Sequence, residues 1–168
     1  MKYRAGDILT ACDNELNVPT GYLGHSAIVV DETRIVEAVL TYPYIQMSTA
    51  ASFEAVHPKH ALYRPVSERM GEAAARFAVG YYEQSNAYKA AGMNIPPFSF
   101  SQQVPLQDPW ASVYCSKLVW LSYYYGAGYE FFNDFFLFSP EDLDAVLSTD
   151  PNFRLLYKHP EFVFLLDS

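Results

Sequence analysis

The chain has 168 residues, 51% apolar and 18% charged, a length and balance that suit one globular domain and exclude a disordered one. Nineteen Asp and Glu against eleven Lys and Arg leave a net charge of −8. That argues against a nucleic-acid partner, since a duplex requires several cations on its phosphates.

Near the N-terminus, Gly6-Asp7 followed by Ile8-Leu9-Thr10 reads as a turn entering a short strand. Residues 11 to 24, rich in Asn, Pro and Gly, read as an exposed loop. "HSAIVV" and "RIVEAVL" are β-branched runs separated by "DET", which predicts a hairpin. "HALYRP" reads as a further strand ended by Pro65. From Ser67 the period becomes helical through "SERMGEAAARFAVGYYEQS", with Ser67 as cap. Residues 92 to 110 carry Pro96, Pro97, Pro105, Pro109 and Gln102-Gln103, and read as a long irregular connection. A second helix is expected from about Ser112 to Tyr125, closed by Gly126 or Gly128. "SPEDLDAVL" starts a third, with Ser139 as N-cap and Pro140 at the first helical position. "NFRLLYK" and "EFVFLL" read as closing strands. Strands, then helices, then strands predict an α+β fold with an antiparallel sheet, one domain over 1–168 with a helical and Pro-rich middle at about 67–110.

No stretch approaches the roughly 18 apolar residues of a membrane span. "YYYGAGYEFFNDFFLF" is interrupted by Gly126, Gly128, Glu130, Asn133 and Asp134. The N-terminus has too short an apolar core for a secretory signal, which predicts a cytoplasmic protein as written. Cys12 and Cys115 form no disulfide framework and are expected as thiols.

Cys115 stands at the head of an apolar helical run, "YCSKLVW". There the unpaired N–H groups of a first helical turn favour thiolate over thiol. It can equally be a small buried hydrophobe, as free cysteines often are. A thiolate nucleophile needs a base. His159 lies in a polar, Pro-flanked turn, and His57 and His60 form an H-x-x-H pair broken by Pro58, without clustered ligands for zinc. His25 begins a strand directly after Gly24, and Glu37 is the sole acid inside "RIVEAVL". Strand side chains alternate with period two, so a loop of odd length puts His25 and Glu37 on one face. They would stand directly opposite with a three-residue turn and diagonal with a five-residue one. A carboxylate there would fix the imidazole tautomer and raise its basicity. Glu37 can also be a solvent-facing acid on a half-exposed strand.

In order along the chain, "GDIL", "GHSAIVV", "RIVEAV", "YCSKLVW" and "SPEDL" resemble the circularly permuted NlpC-type papain-like cysteine hydrolases, the YiiX-like family. The resemblance spans Gly6 to about Leu143. It implies a permuted papain-like fold, with Cys115 as nucleophile, His25 as base and Glu37 as orienter. The residue two after the nucleophile is often acidic in such sequences and is Lys117 here. The activity implied is hydrolysis of peptide or N-acyl amide bonds through a thioester, on a small peptide, a cell-wall peptide or an acyl amide, without cofactor or metal. An acyltransferase or lipid-acyl hydrolase on the same fold is the alternative within the enzyme class. A catalytically inactive peptide- or lipid-binding module is the alternative outside it. The oxyanion of such a reaction would be held by the Cys115 N–H and one further donor, for which Tyr3, Tyr22 and Tyr114 are candidates. Cys12, with no helix start and no nearby base in sequence, is expected to be a bystander.

Overall fold

The structure is a computed structural model that describes residues 2–12, 24–133 and 137–164. Its elements in chain order are β1 (Ile8–Ala11), β2 (His25–Val29), β3 (Arg34–Ala38), β4 (Ile45–Thr49), α1 (Ala50–Val56), β5 (His60–Pro65), α2 (Glu68–Ala90), α3 (Cys115–Leu121), α4 (Pro140–Thr149) and β6 (Phe153–Lys158). The six strands form one sheet in the order β4-β3-β2-β1-β5-β6. Every pairing is antiparallel, so the fold is α+β.

Period-two alternation gives this sheet two buried faces. Ile8, Ile28, Val36, Ala61 and Tyr63 lie on one face, in the larger core with Ala74 and Ala78 of α2, Leu118 and Val119 of α3, and Leu143 and Leu147 of α4. Leu9, Ala27, Val29, Ile35 and Leu62 lie on the other, in a smaller core with Ala50 and Phe53 of α1. The β2–β3 turn is held by Asp31, whose carboxylate accepts the Thr33 and Arg34 N–H groups at 3.0 and 2.7 Å.

Local caps act where the residue types indicate. The Ser67 hydroxyl accepts the Met70 N–H at 3.1 Å and starts α2. Ser139 and Asp142 form a reciprocal capping box on α4. No helix among the described residues is long and apolar enough to cross a membrane.

Three expectations need correction, and one further stretch takes a structure that the sequence does not announce. Ala11 closes β1 and Cys12 is 3% exposed, so the segment after β1 is not exposed at its start; residues 13–23 lie outside the described residues. A strand and a helix, β4 and α1, occupy a stretch whose sequence carries no clear period. The helix expected from Ser112 begins at Cys115 instead. Val113 is held extended beside Phe98, donating to the Pro97 carbonyl at 3.0 Å and accepting from Ser99 N–H at 2.9 Å. Finally, "EFVFLL" is not a strand over 161–164, and 165–168 lie outside the described residues. Pro160 cannot donate to a ladder, and the Phe162 N–H turns back onto the His159 carbonyl at 3.0 Å.

Candidate active site

His25 opens β2 because Gly24 before it can take φ +78, and a Cβ there would stand 2.1 Å from the Ala11 carbonyl oxygen. The chain therefore crosses tightly against the end of β1 before entering the strand. The ladder pairs Ile28 with Val36 and Val29 with Ile35, leaving residues 30–34 between the last pair. That is the five-residue arrangement: Glu37 meets His25 diagonally, on the same face. His25 Nε2 lies 2.7 Å from Glu37 Oε1, with both residues more than nine-tenths buried. Glu37 Oε2 accepts from Gln46 Nε2 at 3.2 Å, across the Glu37–Gln46 pair of β3 and β4.

On its faces the imidazole is held by α1. The Phe53 ring stacks on it at 5.5 Å and 19°, and the His57 ring lies 5.2 Å away. Thr49 caps α1 by accepting the Ser52 N–H, and the His57 N–H closes the helix on the Phe53 carbonyl at 2.8 Å. Burial and the neighbouring His25 charge hold His57 down at about 4, so it is neutral at ordinary pH.

Cys115 is the first residue of α3 and is wholly buried. It follows Tyr114, an extended residue at φ −146 and ψ 175. The helix packs against β2 and β3, which brings the thiol to the start of β2 beside both His25 and Ser26. These two consecutive residues point to opposite faces of the strand, so the sulfur sits at the strand's end.

Burial by itself would lower the His25 imidazole and raise the Cys115 thiol. Mutual attraction overrides both. His25 is pushed up to about 9 by the thiol and the Glu37 carboxylate. Cys115 is held below its ordinary value by His25, Ser26 and the Ser116 N–H. Glu37, which burial would raise, is held low chiefly by His25. With Nε2–H donating to Glu37, Nδ1 is the nitrogen left for the sulfur. Nδ1 and Ser26 Oγ are both buried without an aligned hydrogen-bond partner. The thiol and the imidazole therefore favour each other's charged forms, and the Cys115 sulfur is the group that Nδ1 and Ser26 Oγ face.

Of the tyrosines named as oxyanion donors, Tyr3 gives its hydroxyl proton to Glu54 Oε1, whereas the Tyr114 hydroxyl accepts the Phe138 N–H at 2.9 Å and keeps its own proton to donate. Tyr22 lies outside the described residues. Cys12 is buried with its sulfur 3.6 Å from the Lys59 carbonyl. Gln46, Phe53 and His57 were not legible as parts of this site. Gln46 becomes so only once Glu37 and Gln46 are known to pair.

A cavity of about 610 Å³ opens between residues 102–107, Trp120 and residues 130–133, but Cys115, His25 and Glu37 do not line it. That hollow holds no thiol or imidazole, so the candidate site remains Cys115 with His25 and Glu37. A carbonyl reaches the buried sulfur only when the side chains over it move. His57 and His60 do not combine into a metal centre: His60 Nδ1 bonds the His57 carbonyl at 2.8 Å while the His57 ring packs on His25. Among the described residues no group of three or more His, Cys, Asp and Glu is arranged to hold a metal ion.

The chain matches no family model and no curated protein by sequence. By structure it is similar to a crystal structure of the metalloprotein YiiX from Escherichia coli O157:H7, DUF1105. The TM-score is 0.60 at 16% sequence identity, over 95% of this chain and 99% of that one. At that identity the likeness establishes a common fold and leaves chemistry to the residues described above.

Proposed function

We propose that this protein is a cysteine hydrolase of amide bonds, peptide or N-acyl, built as a permuted papain-like domain of the NlpC type. The observation that carries the reading is the 2.7 Å His25–Glu37 pair beside a thiol that begins a helix. The metalloprotein description belongs to the structural neighbour, and the described residues here do not fit a metal centre, so no step runs through one.

In this mechanism the Cys115 thiolate attacks the carbonyl carbon. A C–S bond forms and the carbonyl π pair moves to oxygen. The oxyanion is met by backbone N–H groups in the first turn of α3. As the carbonyl re-forms, the C–N bond breaks and His25 gives its Nδ1 proton to the leaving amine. His25, neutral again, takes a proton from water, which attacks the thioester; the C–S bond then breaks, returning the thiolate, and the carboxylic acid released gives its proton to solvent. Glu37 keeps Nε2 protonated throughout, and Gln46 holds Glu37.

Turnover of acyl-peptide and acyl-amide reporters at pH 7 to 8 with reductant tests the reading. Cys115→Ala is expected to abolish it, and His25→Ala to come close. Glu37→Gln keeps the shape and an acceptor, so its loss is expected to be about 10- to 100-fold smaller than either. Turnover that persists in Cys115→Ala would refute the mechanism, and a wild type that binds such compounds without cleaving them would point to a binding module.

A further inference from the structure

We infer that Ser26 is a further catalytic residue, its hydroxyl being the side-chain donor to the oxyanion formed at Cys115. The inference rests on the cysteine-hydrolase reading. Ser26 is 0% exposed and its Oγ has no aligned hydrogen-bond partner. A buried hydroxyl left so is destabilising and calls for an explanation. Its register neighbour is Thr10, whose own hydroxyl is engaged with Asp144 at 3.0 Å and does not serve Ser26. What lies beside Ser26 is the Cys115 sulfur.

Chemistry gives that position a use. When the thiolate attacks, the new C–S bond brings the former carbonyl oxygen within about one bond angle of the sulfur, carrying the negative charge. A hydroxyl that leans on the sulfur can turn to this oxygen, because attack carries the negative charge from the sulfur to that oxygen. It donates a hydrogen bond and keeps its proton. His25 on the other flank remains free to protonate the leaving group, so the two unsatisfied atoms beside the thiol take separate roles. Tyr3 is committed to Glu54 and Ser116 Oγ donates to the Phe138 carbonyl at 2.6 Å; the Tyr114 hydroxyl accepts the Phe138 N–H with its own proton left over, so unchanged acetylation in Ser26→Ala would pass the role to it. Sequence order hides the role, since a small residue after a strand-opening histidine is unremarkable.

The test compares wild type with Ser26→Ala using p-nitrophenyl acetate and iodoacetamide. Acetylation of Cys115 passes through an oxyanion, whereas alkylation at a saturated carbon does not. Ser26→Ala is expected to slow acetylation about 100-fold with its KM little changed. Alkylation, compared on its high-pH plateau, should stay within about twofold, because loss of the Ser26 contact raises the Cys115 thiol without changing attack by the thiolate once formed. Melting temperature should be equal or higher, since an unsatisfied hydroxyl has been removed. Unchanged acetylation, a parallel loss of alkylation, or a variant that melts lower or fails to fold would each overturn the inference and make Ser26 a structural residue. A reactive wild type with an indifferent Ser26→Ala overturns this inference alone. A wild type in which Cys115 neither alkylates nor acetylates overturns the hydrolase reading, and this one with it.

Discussion

At the residue scale, the two thiols of this chain differ in surroundings more than in burial. Both are buried, yet Cys115 has an imidazole, a hydroxyl and a first-turn N–H around it while the Cys12 sulfur faces a carbonyl. A carbonyl oxygen disfavours thiolate, and cationic or donor groups favour it. Limited iodoacetamide labelling at pH 6 with peptide mapping should therefore modify Cys115 well before Cys12; equal labelling would remove the special standing of Cys115. The pH dependence has a definite sign. Because His25 is raised from 6.5 to about 9, its charge contributes to the native state fully below 6.5 and is lost as pH rises through about 9. Above that value the thiolate persists, but the proton for the leaving amine is gone. Alkylation should thus hold its plateau past pH 9 while turnover of an amide declines there, and a common decline of both would show that His25 is not the proton donor.

At the element scale, the position of Cys115 depends on how α3 is seated. The helix continues as a π-helical turn, Ser122–Gly126, where the Ser122 hydroxyl shares the Leu118 carbonyl at 2.8 Å. That turn lies against α2 so closely that a Cβ on Gly126 would stand 2.6 Å from the Ala73 carbonyl oxygen and 3.0 Å from Ala74 Cα. Backbone on backbone cannot yield as a flexible side chain can. Gly126→Ala is expected to destabilise by about 1–3 kcal/mol in urea unfolding. Gly80 on α2 has open space around its Cβ position, so Gly80→Ala should stabilise by roughly 0.5–1 kcal/mol through helix propensity alone. Two glycine-to-alanine changes of the same sign would contradict the close approach of α2 and the π-helical turn.

On the scale of the whole molecule, one sheet carries two cores, and the site occupies the end of β2 where they meet. The helices α2, α3 and α4 seat the nucleophile from the larger core, whereas α1 packs on the His25 ring from the smaller one and Gln46 of β4 holds Glu37. Among the described residues no group of three or more His, Cys, Asp and Glu is arranged to hold a metal ion between the two halves. A chelator such as EDTA is therefore expected to leave both the melting temperature and Cys115 alkylation unchanged. A fall in either would show a metal that supports this fold.

Residue types by themselves determined the local starts and stops: Ser67, Ser139 and Pro140 at helix ends, the Asp31 turn, and the period of β2 and β3. These rest on contacts within a few residues, which sequence displays directly. Parity put His25 and Glu37 on one face only if the loop length was odd, and the ladder decided for five residues and the diagonal offset. The start of α3 at Cys115 was decided by Val113 pairing with a segment some fifteen residues earlier, a competition invisible along the chain. So were the roles of Gln46, Phe53 and His57, because β4 and α1 have weak periods of their own and fold where the sheet and the His25 ring give them something to cover. The meeting of Cys115 with His25 across ninety residues of chain is of the same kind: a local pattern can prepare a thiol and an imidazole, but only long-range packing of α3 on β2 sets them side by side.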